Sequence, residues 1–383
     1  MCIENNKKKK LYYLTNIAPK KNGISASSKV FDQIKIFEEN KFNVQVMYPH
    51  SVKRKIKNLI FRKKERELKD IESNAYIYIR YYMCNFTLIR QLNVLKKNKK
   101  NVKVAIEIPT FPYDGEWKSR NLKEWLKNVP KIYKDKITRK KLFKYIDKII
   151  TFSDDKKIWG IDTINISNSV NLNKIKPRVP NTKENNNINL IAVASIRFWH
   201  GYDRIISGLG EYYHNAEHPR DIKLFIIGDG EKRVIKQYKN LIRKYNLENR
   251  VILTGPKTGD ELNMYYDQAD IGLDTMGRYR TQVTYNSTLK GKEYLAKGLP
   301  IISGVSTELD KMTDFKYYLR VPANDGPIDI AQIIKFYDNI YSSKTPLEVT
   351  TYIRQFCEQN FEFKKCFKKV IDWYNEEENE IEK

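Results

Sequence analysis

The stretch STLKGKEYLAKGLPII, Ser287–Ile302, has the residue types and spacing best suited to chemistry. Ser287 or Thr288 stands where a helix would begin, and Gly298-Leu299-Pro300 would end it before a strand. A helix start offers unpaired N–H groups and the positive end of the dipole, which suits a phosphate. Glu293 falls about one and a half turns into that helix. Beside a crevice its carboxylate would bind sugar hydroxyls; the same pattern also fits an ordinary amphipathic helix with Glu293 in solvent.

Two further segments have the composition of anion sites. In VASIRFWHGYDRII, Val193–Ile206, a strand ends near Ser195, a loop carries Arg197 and His200, and Gly201 precedes a new helix. Cationic side chains at the carboxyl end of a strand are placed to meet an anion, although a basic surface loop reads the same way. In FIIGDGEKRV, Phe225–Val234, the glycines of Gly228-Asp229-Gly230 let the backbone pass close to a ligand. Taken alone this is equally a tight turn.

The first half contributes AIEIPTFPYDGEW, Ala105–Trp117. Pro109 and Pro112 stiffen a loop at a strand end, which is expected to expose Glu107, Tyr113, Asp114 and Glu116. Carboxylates so placed bind hydroxyls or assist proton removal, or are simply the solvated acids of a turn. Arg80, ending IYIR, is a candidate for a phosphate and also fits a charge that merely follows a buried strand.

These residues need strand ends and helix starts to hold them. Apolar runs at Leu11–Ile17, Asn43–Tyr48, Ala75–Ile79, Val102–Ile106, Lys148–Phe152 and Thr163–Ser167 read as strands, with helical stripes between some of them. Residues 171–187, rich in Asn, Lys and Pro, lose periodicity and read as a linker. A second series of strands follows at Asn189–Ser195, Lys223–Ile227, Val251–Thr254, Asp270–Asp274 and Pro300–Ser303. Two helices close the chain, the last with Phe363, Phe367, Val370, Ile371 and Tyr374 at helical spacing. Alternating strands and helices make an α/β protein with parallel sheets, and two such domains in tandem bind ligands beyond the carboxyl ends of their strands.

The 383 residues carry 71 Lys and Arg against 46 Asp and Glu, a net charge of +25. Residues 1–175 hold 40 basic and 17 acidic residues, net +23, so one half carries the field. That asymmetry calls for a polyanionic partner: nucleic acid, an anionic membrane surface or phosphorylated small molecules. An AT-rich genome would also enrich lysine, but does not confine it to one half. A hydrophobic fraction of 41% excludes a disordered chain, and no apolar run is long enough for a transmembrane helix. The N-terminus reads as no signal peptide. Cys2, Cys84, Cys357 and Cys366 have no CxxC spacing, which speaks against a disulfide framework or zinc site and fits a reducing cytoplasm.

In their order these segments resemble the GT-B glycosyltransferases, in particular retaining glycosyltransferase family 4. The carriers are Val193-Ala194-Ser195 with His200-Gly201, Gly228-Asp229-Gly230, Gly255, then Glu293-Tyr294-Leu295-Ala296 with Gly298-Leu299-Pro300. The first half adds Asn22-Gly23, Ile149–Ser153 and Asn168–Asn171. The resemblance implies two Rossmann-like domains facing each other across a cleft, with C-terminal helices packing back on the N-terminal domain. Residues 1–175, completed by a helix at about 360–375, would bind the acceptor, and 186–345 the nucleotide-sugar donor.

Three positions depart from the family's pattern. Ser195 stands for the usual Arg and His200 for the usual Lys, the two cations that hold the donor diphosphate; Arg197, Lys290 or Lys292 are candidate substitutes. Tyr285 stands where the first of two paired glutamates belongs. The resemblance implies donor contacts from Asn22, Gly23, Ser195, Arg197, His200, Gly228, Asp229, Gly230, Ser287, Thr288, Lys290 and Glu293. Acceptor contacts would come from Arg80, Tyr113 and Asp114, and catalytic roles fall to Glu293 and Glu107. No cofactor is expected beyond the donor, UDP-linked in this reading. No metal is expected either, because no DxD motif sits at a strand end.

The expected reaction is retaining, metal-independent transfer of a sugar to a saccharide acceptor, lipid-linked, in cell-surface polysaccharide assembly. The basic stretches Ser51–Ile71 and Trp117–Lys148 mix lysines with apolar residues and suit an anionic bilayer, or form solvated charged helices. The protein is therefore expected on the inner face of the cell membrane. The rival readings are a basic nucleic-acid-binding protein, and a GT-B epimerase or non-catalytic partner subunit. Against nucleic acid, no recognition helix, zinc motif or aromatic RNA motif is present.

Overall fold

The computed structural model describes residues 9–20, 26–48, 68, 71–80, 83–99, 101–117, 122–180 and 187–376. Chain contacts divide the protein into two units.

The first unit comprises residues 1–111, 117–166 and 367–383. Its elements are β1 (Lys9–Leu14), α1 (Ala26–Glu39), β2 (Phe42–Met47), β3 (Tyr76–Arg80), α2 (Phe86–Asn98), β4 (Lys103–Ile108), α3 (Leu122–Arg139), β5 (Lys148–Thr151), β6 (Lys157–Ile158) and β7 (Ile161–Asn165). They build a sheet of order β2-β1-β3-β4-β5-β7-β6, parallel except for the β6–β7 pair. The central strands β1 and β4 are buried over most of their length, as strands inside a parallel sheet are.

The second unit comprises residues 112–116 and 167–366. It holds β8 (Ile188–Val193), α4 (Tyr202–Asn215), β9 (Ile222–Ile227), α5 (Lys232–Lys244), β10 (Val251–Gly255), α6 (Gly259–Gln268), β11 (Ile271–Leu273), α7 (Leu289–Lys297), β12 (Ile301–Ser303), β13 (Tyr318–Arg320), α8 (Ile330–Tyr341) and α9 (Pro346–Asn360). The sheet is parallel throughout, in the order β10-β9-β8-β11-β12-β13. The order reverses between β8 and β11. A doubly wound sheet opens a crevice at such a reversal, beyond the carboxyl ends of the two strands.

The last helix, α10 (Phe363–Asn375), begins in the second unit and belongs to the first from Phe367 onward. Within the first unit Phe367 packs edge-on against Phe37 and Tyr374 against Phe42 and Tyr76. The Tyr374 hydroxyl donates to the carbonyl of Ile77 at 2.6 Å. The helical spacing of these aromatics is what seats the C-terminus on the first sheet.

The stretch read as a linker behaves differently where it is described. Arg354 on α9 donates to the carbonyls of Leu172 and Ile175, and Arg178, itself buried, donates to Thr350 Oγ1 at 3.0 Å. Side-chain hydrogen bonds of this kind need no apolar periodicity, so composition conceals them. The division between units falls at Ile166–Ser167 instead. Among the described residues no helix is long and apolar enough to cross a membrane.

Candidate functional site

The crevice of the second unit is built from loops after β8 and β11 and from the start of α7. After β8 the chain passes Ser195 and Arg197, both exposed, then turns through residues 198–200 into α4. Gly201 makes that entry with φ +67°, and a Cβ there would lie 2.5 Å from the amide nitrogen of Gly277. The neighbouring loop is held as tightly: Gly228 has φ +131°, and its Cβ would lie 1.9 Å from the carbonyl oxygen of Ala194. Asp229 is exposed, and its Oδ1 accepts from the amide of Gly230, which bridges to Ile196. These glycines bring two strand-end loops together.

His200 is buried at the floor of the first loop. Its Nδ1 accepts the amide N–H of Arg197 at 3.0 Å, which leaves the ring proton on Nε2. Burial, reinforced by the positive charges of Lys290, Arg278 and Arg197, holds the imidazole well below the usual histidine range. His200 is therefore neutral and presents an N–H donor. Arg197 points elsewhere, in an exposed pair with Glu231 at 3.3 Å.

Helix α7 is capped as its sequence requires. Thr288 Oγ1 accepts the amide of Gly291 at 3.2 Å, and Gly298 closes the helix in the left-handed region. The amides of Leu289 and Lys290 in the first turn have no acceptor within the helix. Thr288 Oγ1 also donates to Asp274 Oδ2 at 2.7 Å, and Ser303 Oγ adds a bond at 3.3 Å. Asp274, at the end of β11, thereby fixes the helix start to the sheet edge.

Lys290 reaches Thr275 Oγ1 at 3.1 Å and Asp274 Oδ1 at 3.9 Å. Burial lowers its ammonium to about 8, although Asp274 and Glu293 oppose the change. Glu293 is half-buried, and among the described residues it forms no hydrogen bond or ion pair. Burial pushes its carboxyl up to about 7 against the pull of Lys290 and Lys297. The arrangement offers two amides, a neutral imidazole N–H, an ammonium and an uncommitted carboxyl. That set can bind an anion and a hydroxylated group side by side.

Several expectations need correction. Lys292 lies on the other side of α7, buried, in an ion pair with Glu308 at 2.5 Å, so it meets no phosphate. Ser287 is buried; it donates to Glu308 Oε1 and accepts the amide of Asn168, which makes it a structural link. Glu107, expected on an exposed loop, is wholly buried in β4. Arg80 Nη1 donates to its Oε1 at 2.8 Å, and Gln33 Nε2 and the Tyr78 hydroxyl donate to Oε2. Burial alone would raise this carboxyl, but Arg80, Lys29 and those hydrogen bonds outweigh it and hold it below its ordinary value. A carboxylate so engaged takes no proton from an acceptor, and Arg80 is committed to it rather than to a phosphate.

The 112–116 segment also differs. Tyr113 is buried, Asp114 half-buried, and both belong by their contacts to the second unit. Glu116 pairs with Arg278 at 2.7 Å, and a Cβ on Gly115 would lie 2.2 Å from the Thr281 carbonyl oxygen. The expectation of exposed acceptor-binding acids fails because the loop is packed down. Asn22 and Gly23 lie outside the described residues, as does nearly all of Ser51–Ile71. Asp274, Thr275 and Arg278 were not singled out by sequence; an Asp ending an apolar strand was the available signal for the first.

With this geometry in hand, comparison with known proteins is direct. Residues 187–337 match the family model for glycosyl transferases, group 1. That span contains the crevice, Glu293 and α7. Among proteins of curated function none matches the sequence. Solved structures match along nearly the whole chain. Sucrose-phosphate synthase from Thermosynechococcus elongatus is 13% identical over 96% of this chain and 98% of its own, with a TM-score of 0.63. The lipopolysaccharide outer core galactosyltransferase WaaB is 14% identical over 96% and 99%, at 0.57. Anabaena HepE, solved with UDP-glucose, is 12% identical over 96% and 99%, at 0.56. The protein has the GT-B fold, and the group 1 match lies within its second unit.

Proposed function

We propose that this protein transfers a sugar from a nucleotide-sugar donor, UDP-linked, to a saccharide acceptor. The reading rests above all on one observation: Glu293, which has no hydrogen-bond or ion-pair partner among the described residues, stands beside Lys290 and the first-turn amides of α7, at the strand reversal of the region that matches the group 1 model. The donor diphosphate would lie on those amides, Lys290 Nζ and His200 Nε2–H. Glu293 would accept a hydroxyl of the donor sugar or ribose. Donors aimed where charge develops on the leaving diphosphate stabilise the transition state more than the ground state.

The transfer proceeds with retention and without a metal. The bond from the anomeric carbon to the phosphate oxygen breaks, and the acceptor oxygen replaces it on the same face. The departing phosphate oxygen is then adjacent to the incoming hydroxyl and takes its proton, so no protein base is needed. That fits the engagement of Glu107 with Arg80. The acceptor is a lipid-linked saccharide in cell-surface polysaccharide assembly, met at the inner face of the membrane.

A screen of nucleotide sugars tests the reading. Slow hydrolysis of at least one donor, releasing a nucleoside diphosphate and the sugar with its anomeric configuration kept, is the expected result. Inversion would remove retention; inertness toward all donors, with no nucleotide bound, would remove the assignment.

A further inference from the structure

Helix α3 is oriented against its own polarity. At 100° per residue Trp125, Leu126, Val129, Pro130, Tyr133 and Ile137 fall within an arc of about 140°. Trp125, Leu126, Tyr133 and Ile137 are exposed, from 38% for Ile137 to 67% for Tyr133, while Asp135 and Thr138 on the opposite side are 1% and 0% exposed. The polar face points inward for an identifiable reason. Asp135 Oδ1 accepts the amide of Cys84 at 2.5 Å, its Oδ2 pairs with Arg139 at 3.2 Å, and Thr138 Oγ1 donates to the carbonyl of Lys134 at 2.8 Å. The inward side is satisfied by hydrogen bonds, and the apolar side is left to the surface.

We infer that this outward face of α3 is a docking surface for an anionic lipid bilayer. Charge selects the occupant. From Trp125 to Lys144 the chain carries eight Lys or Arg and a single acid, Asp135, which is buried and paired. Lys127 and Lys134 are exposed along one edge of the apolar arc, and Lys136 is exposed within it. A second copy would set like charge against like charge, and residues 49–67 of this chain, with eight basic and two acidic residues, would do the same. An interfacial helix inserts Trp, Tyr and Leu at headgroup depth while lysines meet anionic lipid, which is the pattern here. Pro130 interrupts the helical ladder on the outward side without disturbing the inward contacts. The inference does not rest on glycosyl transfer.

Co-sedimentation of the full chain with vesicles tests it, using phosphatidylcholine alone and phosphatidylcholine mixed with phosphatidylglycerol. Wild-type protein should partition onto the mixed vesicles at low salt, weakly at high salt, and little onto the neutral ones. The triple change Trp125→Ser, Leu126→Ser, Tyr133→Ser should lower partitioning by roughly tenfold or more. Lys127→Glu with Lys134→Glu should do likewise, and keeps the inference testable should the triple variant not fold. Equal binding to both vesicle types would overturn it. So would undiminished binding by the lysine variant, or a concentration-dependent dimer that the triple change dissolves.

Discussion

Lys290 Nζ stands 3.9 Å from Asp274 Oδ1, at the edge where β11 meets the start of α7. Asp274 is already hydrogen-bonded by Thr288 and Ser303, so it neutralises the ammonium only in part. With Ser195 uncharged, His200 neutral and Arg197 paired with Glu231, Lys290 is the cation best placed for a diphosphate. Lys290→Met should therefore weaken binding of a nucleoside diphosphate by about ten- to 100-fold, the value of a charge-assisted hydrogen bond, and leave the bare nucleoside unaffected. Calorimetric titration of both ligands separates the two effects.

The same lysine sets a pH dependence. A lysine lowered to about 8 is charged below that pH and loses its charge above it. A bound diphosphate would stabilise the ammonium and raise its pKa. Diphosphate affinity should hold steady below about pH 8 and decline above it; Lys290→Arg, charged throughout, should flatten the profile. An unchanged profile in the Arg variant would assign the dependence elsewhere.

For Glu293 the sign is opposite. Its carboxyl titrates at about 7 in the fold against an ordinary 4.5. The protein holds that proton more tightly than the unfolded chain does, so the site costs stability as pH rises from about 4.5 through about 7 and no further beyond. Glu293→Gln should remove that slope in denaturation measured across the range. Glu293→Ala should lower sugar transfer by more than about tenfold with the fold intact.

Two lysines on one helix should part company. Lys292 is buried against Glu308 on the core side of α7. Lys292→Met strands a buried carboxylate and should cost about 3–5 kcal/mol of stability, read as a fall in the denaturant midpoint. Lys290→Met should leave the midpoint almost unmoved. The reverse outcome would exchange their roles.

Legibility in the sequence followed the range of the interaction. Helix α7 was readable because Thr288 and Gly298 act within a few residues of their own positions. The parallel strands were readable as apolar runs, and α10 as an aromatic stripe. β7 was readable, two residues out of place, as Thr163–Ser167; β6 and β13 were not, since Lys157-Ile158 and Tyr318-Leu319-Arg320 offer too few apolar residues to make a run. Glu107 and Arg80 were misread for a topological reason. They are register partners across β3 and β4, and only knowledge of that pairing shows that each satisfies the other. Lys290 and Lys292, two positions apart, point to opposite sides of a helix. The sequence offered both as cations; the packing of α7 against the sheet separates them.

Metal dependence offers a further check. If helix amides, Lys290 and His200 hold the diphosphate, turnover should survive EDTA. Loss of turnover that magnesium or manganese restores would show that these groups are insufficient.

The most direct measurement is a crystal structure of the protein with a nucleoside diphosphate. The account predicts phosphate oxygens within hydrogen-bond distance of the amides of Leu289 and Lys290, of Lys290 Nζ and of His200 Nε2, with Glu293 facing the ribose or sugar side. A diphosphate seated away from the start of α7, or bound by Arg197 and Glu231's neighbours with Lys290 untouched, would contradict it.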